Sequence, residues 1–247
     1  MHHLAMYTAA VAATAETDLT AASDGILAIQ NNHFLPQRPF QLWFVAAASA
    51  LLTRARVVTP SARQITTPFI RPISVATNWG MPQRIDTMEE GPLELKQGEE
   101  ISALVTNSAA TTGQNYVAMG LGIGTRTMPA GQIFTLRGTS TSTATANAWT
   151  TISVTWQDVL PVGTYAVVGG EFFSAGQVAG RLIFEGQSYR PGALGITSLG
   201  NSADNIFRNG GLGEWGRFTN YAAPNVEVFC SSADTSHDVY LDIVKVA

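Results

Sequence analysis

Apolar residues in this chain fall into short runs of about five to nine, broken roughly every 8–12 residues by Gly, Pro, Asn, Asp or Ser. Phe40–Ala48 is almost wholly apolar, as expected of a strand buried on both faces. Trp149–Trp156 instead alternates. Ile152, Val154 and Trp156 share one side, and Thr151, Ser153 and Thr155 the other, the pattern of a half-buried strand. Further strands are predicted at Leu51–Thr59, Phe69–Ala76, Leu93–Lys96, Ile101–Thr106, Tyr116–Ile123 and Ile133–Arg137. The series continues through Tyr165–Phe173, Val178–Glu185, Ala193–Leu199, Val226–Cys230 and Val239–Val246. Within Leu51–Thr59, Arg54 and Arg56 sit two apart and so share a face. Met1–Ala15, alanine-rich around Leu4, Met6 and Val11, is predicted as a short helix or an edge strand. Thr77–Gly91 and Gly200–Gly216 read as loops, and Thr139–Asn147 as an extended segment or a loop. No window carries a long helical period, so the pattern predicts an all-β sandwich or barrel.

One stretch occurs twice. His33–Ala50 aligns without a gap on Asp158–Ala175, 125 residues further on. Leu35-Pro36 falls on Leu160-Pro161, Phe40 on Tyr165, Ser49-Ala50 on Ser174-Ala175 and Arg56 on Arg181. Arg71-Pro72 then pairs with Arg190-Pro191, Trp79-Gly80 with Trp215-Gly216, and Tyr116 with Tyr240 at an offset of 124. The offset shifts only across loops, where changes of length cost little. The repeat predicts one β-module of about 120 residues used twice, with the break at the Thr125–Gly131 turn region. Residues 1–125 form the first module and 126–247 the second.

Composition narrows the role. Charged residues make up 13% of the chain, well under the roughly 25% of an ordinary soluble domain. That scarcity points either to a surface rich in neutral polar residues or to one that meets other protein. Twelve of the fourteen basic residues are Arg, which favours fixed planar contacts over a solvated cationic surface. With a net charge of −4 and no basic run, direct sequence-specific nucleic-acid binding is not expected. A single cysteine, Cys230, rules out an intrachain disulfide. Met1–Ala15 ends in Ala-Thr-Ala, like a signal-peptide cleavage site, but lacks a basic n-region. No apolar run reaches the roughly 18–20 residues of a membrane-spanning helix.

Motifs that would carry chemistry are weak, and no catalytic residue, cofactor or metal site is predicted. Gly211-Leu212-Gly213-Glu214-Trp215-Gly216 fits the dinucleotide spacing, but the chemistry needs a helix after it, and Arg217–Asn220 looks extended. The motif reads as a glycine loop. His2 and His3 read as a frayed terminus and His237 as a surface residue in a turn. Cys230 sits inside an apolar strand pattern as a core thiol. Asp86, Glu89, Glu90, Glu94, Glu99 and Glu100 read as a solvated acidic face, since their spacing matches no calcium loop. Trp79 and Trp215, each beside a glycine, and Arg71 and Arg190, each before a proline, are the candidate site residues. Each is either an anchor holding a loop to the sandwich or a subunit-interface residue, where Trp and Arg are enriched.

A duplicated β-module with little charge and no catalytic group resembles a double jelly-roll viral major capsid protein. The stretch from Trp149 through Gly170-Glu171 and Arg190-Pro191-Gly192 to Gly213–Arg217 also resembles capsid-like sequences of tailless phages. The resemblance implies an all-β chain of two tandem jelly-roll β-sandwiches arising by internal duplication, with shorter loops than the family usually has. It also implies a non-enzymatic virion protein, made in the host cytoplasm, that assembles as homotrimers into an icosahedral shell. Its partners would be neighbouring capsomers, a penton protein and an internal membrane. The alternative is a tandem β-sandwich binding protein, such as a phage spike, receptor-binding protein or lectin, with Trp79 and Trp215 at loop tips contacting ligand. Neither role calls for a cofactor.

Overall fold

The computed structural model describes residues 1–12, 14–24, 26–29, 32–34, 40–48, 52–60, 69–70, 85–87, 92–197 and 205–247. Among them the regular structure is β, apart from a 3-10 turn at Asn205–Phe207. The chain divides into two compact units, Ala5–Ile123 and a second made of Met1–Leu4 with Gly124–Ala247.

The second unit is the more fully described. Its strands are β13 (Ile133–Ser140), β14 (Trp149–Ile152), β15 (Thr155–Trp156), β16 (Thr164–Phe173), β17 (Gln177–Ile183), β18 (Gly192–Ile196), β19 (Gly216–Thr219), β20 (Asn225–Cys230) and β21 (His237–Lys245). β13 pairs with β21, β21 with β16 and β16 with β19, all antiparallel. β14 pairs with β20, β20 with β17 and β17 with β18, again antiparallel. Setting aside the two-residue β15, the order by position in the chain is 1-8-3-6 in one layer and 2-7-4-5 in the other. This is the interleaving of a jelly roll. β18 bridges the layers: Ala193 and Leu194 lie on β17, while Gly195 and Ile196 run parallel to β16. The layers meet closely there. Phe172 of β16 lies over Gly180 of β17, where a Cβ would come within 2.1 Å of the ring.

In the first unit, β1 (His2–Val11, here from Ala5 on), β3 (Thr20–Ala21), β6 (Phe40–Ala48), β10 (Leu93–Leu95) and β12 (Gly113–Gly122) form one sheet in the order β10-β6-β12-β1-β3. β9 (Ile85–Thr87) also pairs with β6. The other sheet has the order β4-β5-β11-β7-β8, from β4 (Ala28–Ile29), β5 (Asn32–Phe34), β7 (Leu52–Val58), β8 (Phe69–Ile70) and β11 (Glu100–Asn107). β2 (Thr17–Asp18) adds to β11. Taking β1, β5, β6, β7, β8, β10, β11 and β12 as the eight principal strands gives the same 1-8-3-6 and 2-7-4-5 interleaving. Tyr7 ties these sheets together, its hydroxyl donating to Ile101 O at 2.6 Å and its ring meeting His33 edge-on.

The apolar run Phe40–Ala48 is β6, buried at every described position except the intermediate Gln41. The all-β expectation holds, and four local expectations need correcting. Met1–Ala15 is neither a helix nor an edge strand. β1 lies between β12 and β3 and is buried from His2 to Tyr7, so pairing on both sides overrides the helix propensity of its alanines. His2 and His3 are therefore not frayed but fully buried. His237 is no surface turn residue. It is buried as the first residue of β21, with Nε2 3.1 Å from Ser142 O. Trp149–Trp156 is not one strand but two, since β14 pairs with β20 while β15 pairs with β13 of the other layer. Burial still alternates as expected, because the chain stays extended as it crosses.

The 125-residue offset carries Phe40–Ala48 onto Tyr165–Phe173 of β16, the third strand of the other unit. Cross-strand register does not follow the offsets. Tyr116 faces Ala48, whereas Tyr240 faces Glu171 rather than Phe173. Bulges between Gly120 and Leu121 and between Val167 and Gly169 change the count locally.

Candidate functional site

Two of the four singled-out residues, Trp215 and Arg190, come together in the second unit around Met1–Leu4. Trp79 and Arg71, with Leu35-Pro36 and Ser49-Ala50, lie outside the described residues. Trp215 precedes β19 and is 0% exposed. Its N–H donates to Val167 O at 2.8 Å, and its carbonyl accepts from Gln187 Nε2 at 3.0 Å. The His2 ring stands edge-on to it, centroids 5.2 Å apart. The tryptophan is thus enclosed within its unit and exposes no surface to a ligand.

Arg190 lies just before β18. Its Nη1 donates to both carboxylate oxygens of Glu227 on β20, each at 2.9 Å. Arg181 reaches the same carboxylate from β17, with Nε 2.6 Å from Oε2, because Arg181 and Glu227 are register partners. The Arg181 side chain is 0% exposed and its guanidinium stacks 3.8 Å above the Trp149 ring. Such a triad repays desolvation only when hydrogen bonding is nearly complete. Here backbone helps: Arg181 Nη1 lies 3.4 Å from Leu4 O. The strap formed by Met1–Leu4 is further held by Leu4 N–H donating to Arg190 O, 3.0 Å, and Arg190 N–H donating to His3 Nδ1, 3.1 Å. Gly192 N–H donates to His2 Nε2 at 3.1 Å, and the same nitrogen lies 2.8 Å from Gly192 O. Burial pushes His2 down to about 3, against the pull of Gly192 O. Sequence reading missed Arg181, Glu227, Trp149 and both histidines as members of this cluster. Arg181 stood out only as a repeat landmark.

A second network fixes the loop before β19. Arg208 makes a two-pronged pair with Asp242, Nε to Oδ2 at 2.7 Å and Nη2 to Oδ1 at 2.8 Å, and reaches Glu171 with Nη1 at 2.7 Å. Asn209 N–H also donates to Asp242, at 2.9 Å. Burial alone would raise the Asp242 carboxyl, but the Arg208 and Asn209 hydrogen bonds outweigh it and hold it below the usual range. The loop approaches so closely that a Cβ on Gly169 would meet Asp242 Oδ2 at 2.7 Å and Phe207 O at 2.8 Å.

The remaining chemistry is subdued. Cys230 is buried beside Ser174 and Gln177, and burial pushes its thiol up to about 11. That favours a core thiol over a nucleophile. The Gly211–Gly216 motif leads into β19 rather than a helix, so it presents no helix N-terminus to a pyrophosphate. Among the described residues no group of three or more His, Cys, Asp or Glu is placed to hold a metal ion. Among the described residues the most exposed large apolar side chains are Val159 at 98%, Tyr221 at 81% and Val162 at 70%. Their loops are joined, since Gly163 N–H donates to Asn220 Oδ1 and Asn220 N–H to Gly163 O.

No family model matches the chain, and no curated protein does. Among solved structures, it is similar to the crystal structure of the major capsid protein P2 from Bacteriophage PM2. The match covers 100% of this chain and 98% of that one, at 11% identity and a TM-score of 0.25. A TM-score of that size carries no functional weight.

Proposed function

We propose that this chain is a structural virion protein, a double jelly-roll major capsid protein that self-assembles into an icosahedral shell. The observation that carries this reading is the strand order. Two compact units of one chain each interleave their principal strands 1-8-3-6 and 2-7-4-5. On this reading the units descend from one duplicated module, with the boundary near residue 125. The landmarks at offsets 124 and 125 support the duplication, because they fall on strands of equal rank, β6 with β16 and β12 with β21. The bulges supply a physical reason for the unequal register.

The function would be mechanical. Copies bury apolar and neutral polar surface against one another, first as trimers and then between capsomers. An interface of roughly 1,600 Å² is the standard size for a stable contact. The 13% charged content suits such a surface, with few ions to desolvate. A penton protein and an internal membrane are the further partners this role would bring, and the virion its location. The binding-module alternative would now rest on the exposed Tyr221, since Trp215 is fully buried.

Sedimentation and negative-stain microscopy of the purified protein test the proposal. A trimer or larger species that closes into shells is expected. A soluble monomer persisting at micromolar concentration and under shell-promoting salt would overturn it.

A further inference from the structure

Met1–Leu4 belongs to a different compact unit from the rest of β1. Residues 1–4 group with Gly124–Ala247, and Ala5–Val11 with the first unit. What holds the strap in the second unit is unusual in one respect. Two consecutive, fully buried histidines hydrogen-bond to the backbone around Pro191. His3 Nδ1 takes the Arg190 N–H, which requires that nitrogen to carry no proton. His2 Nε2 sits between the N–H and the O of Gly192. A proton there keeps the contact to the oxygen but faces the N–H with another donor.

Burial and neighbouring cations oppose a charge on the His2 ring. The strap's own Met1 amino group lies nearby, and Arg126 acts on His2 from the segment before β13. The Arg181 guanidinium of β17 approaches Leu4 O, while Arg190 meets His3 through its backbone N–H. Glu227 of β20 is bound by the side chains of both arginines, and Glu214 acts on the Met1 amino group. The Trp215 ring stands edge-on to His2. A charged His2 ring would therefore be desolvated close to Arg126 and the Met1 amino group.

We propose that Met1–Leu4 is a proton-operated latch: it is docked in the C-terminal unit while His2 and His3 are neutral, and undocks as they take up protons. In the undocked strap the histidines are hydrated and titrate normally. The sign follows from linkage. His2 is lowered from 6.5 to about 3 when docked, so docking is at full strength above 6.5 and weakens as pH falls from there towards 3. From His2 alone, the docking equilibrium should fall about 4-fold by pH 6 and about 30-fold by pH 5.

Hydrogen exchange of the full chain, read by mass spectrometry and corrected for intrinsic rates, tests this. The Leu4, Arg190 and Gly192 amides are the reporters, because their N–H groups make the docking bonds. Between pH 7.5 and 5.0, protection of peptides covering residues 1–7 and 184–197 is expected to drop about 30-fold, while β20 and β21 keep theirs. In the H2Q/H3N double variant, side-chain oxygens can accept the same N–H bonds but do not titrate, so protection should be equal at both pH values. Unchanged wild-type protection at pH 5.0 would overturn the latch. So would a loss shared equally by β20 and β21, or a variant with the wild-type pH dependence. If the variant does not dock at pH 7.5, the wild-type exchange alone decides, by the same criteria.

Discussion

Glu227 is the most consequential single carboxylate in the second unit, because two arginines depend on it. Replacing it with Gln keeps the shape but removes the charge that compensates Arg181, whose side chain has no access to water. Breaking such a buried pair from one side costs about 3–5 kcal/mol. Glu227→Gln is therefore expected to lower the urea midpoint strongly and to loosen residues 1–4 through the Arg181 contact to Leu4 O. An unchanged midpoint would mean that the triad contributes little. None of this was legible in the sequence. Arg181 and Glu227 are 46 residues apart, and only strand register makes them neighbours. The two histidines were misread for the same reason: a polar pair at a chain end looks solvated until its partners, some 190 residues away, are in place.

At the scale of elements, apolar runs were the reliable signal. β6 and β16 could be read because strands buried on both faces leave near-continuous hydrophobic sequence. β1 could not, since its alanines and histidines carry no such signature, and β14 and β15 merged because alternation survives a change of sheet. Where the layers come closest, packing is set by what is missing. Gly180→Ala would place a methyl within 2.1 Å of Phe172, in a site already full. Overpacking of this kind costs about 1–3 kcal/mol. Phe172→Leu should partly rescue Gly180→Ala, giving a non-additive double-mutant cycle. Strictly additive losses would show that the contact is not shared.

For the whole molecule, the acid limb of stability should report the Arg208–Asp242 network. The Asp242 carboxyl is held below its usual range, so its contribution is complete above about pH 4 and disappears as pH falls through the lower folded value. Denaturant titrations from pH 7 to 2 should show that decline in the wild type. Asp242→Asn should be less stable at pH 7 and flatter below pH 4. An equally steep acid limb in the variant would assign the decline to other carboxylates. The spacing of the apolar runs foretold an all-β chain. What it did not carry was which arginines would be buried, since that depends on bulges and on residues 1–4, with Leu4 177 positions before Arg181.

That strap has a consequence for how the protein is made. Residues 1–4 leave the ribosome well before Arg181, Arg190, Gly192 and Glu227, against which they dock and which emerge more than 170 residues later. At synthesis rates of roughly 5–20 residues per second, the strap waits on the order of ten seconds or longer for its binding site to exist. During that interval two histidines and an apolar leucine remain uncommitted, and the second sandwich is finished only when residues 1–4 return to it.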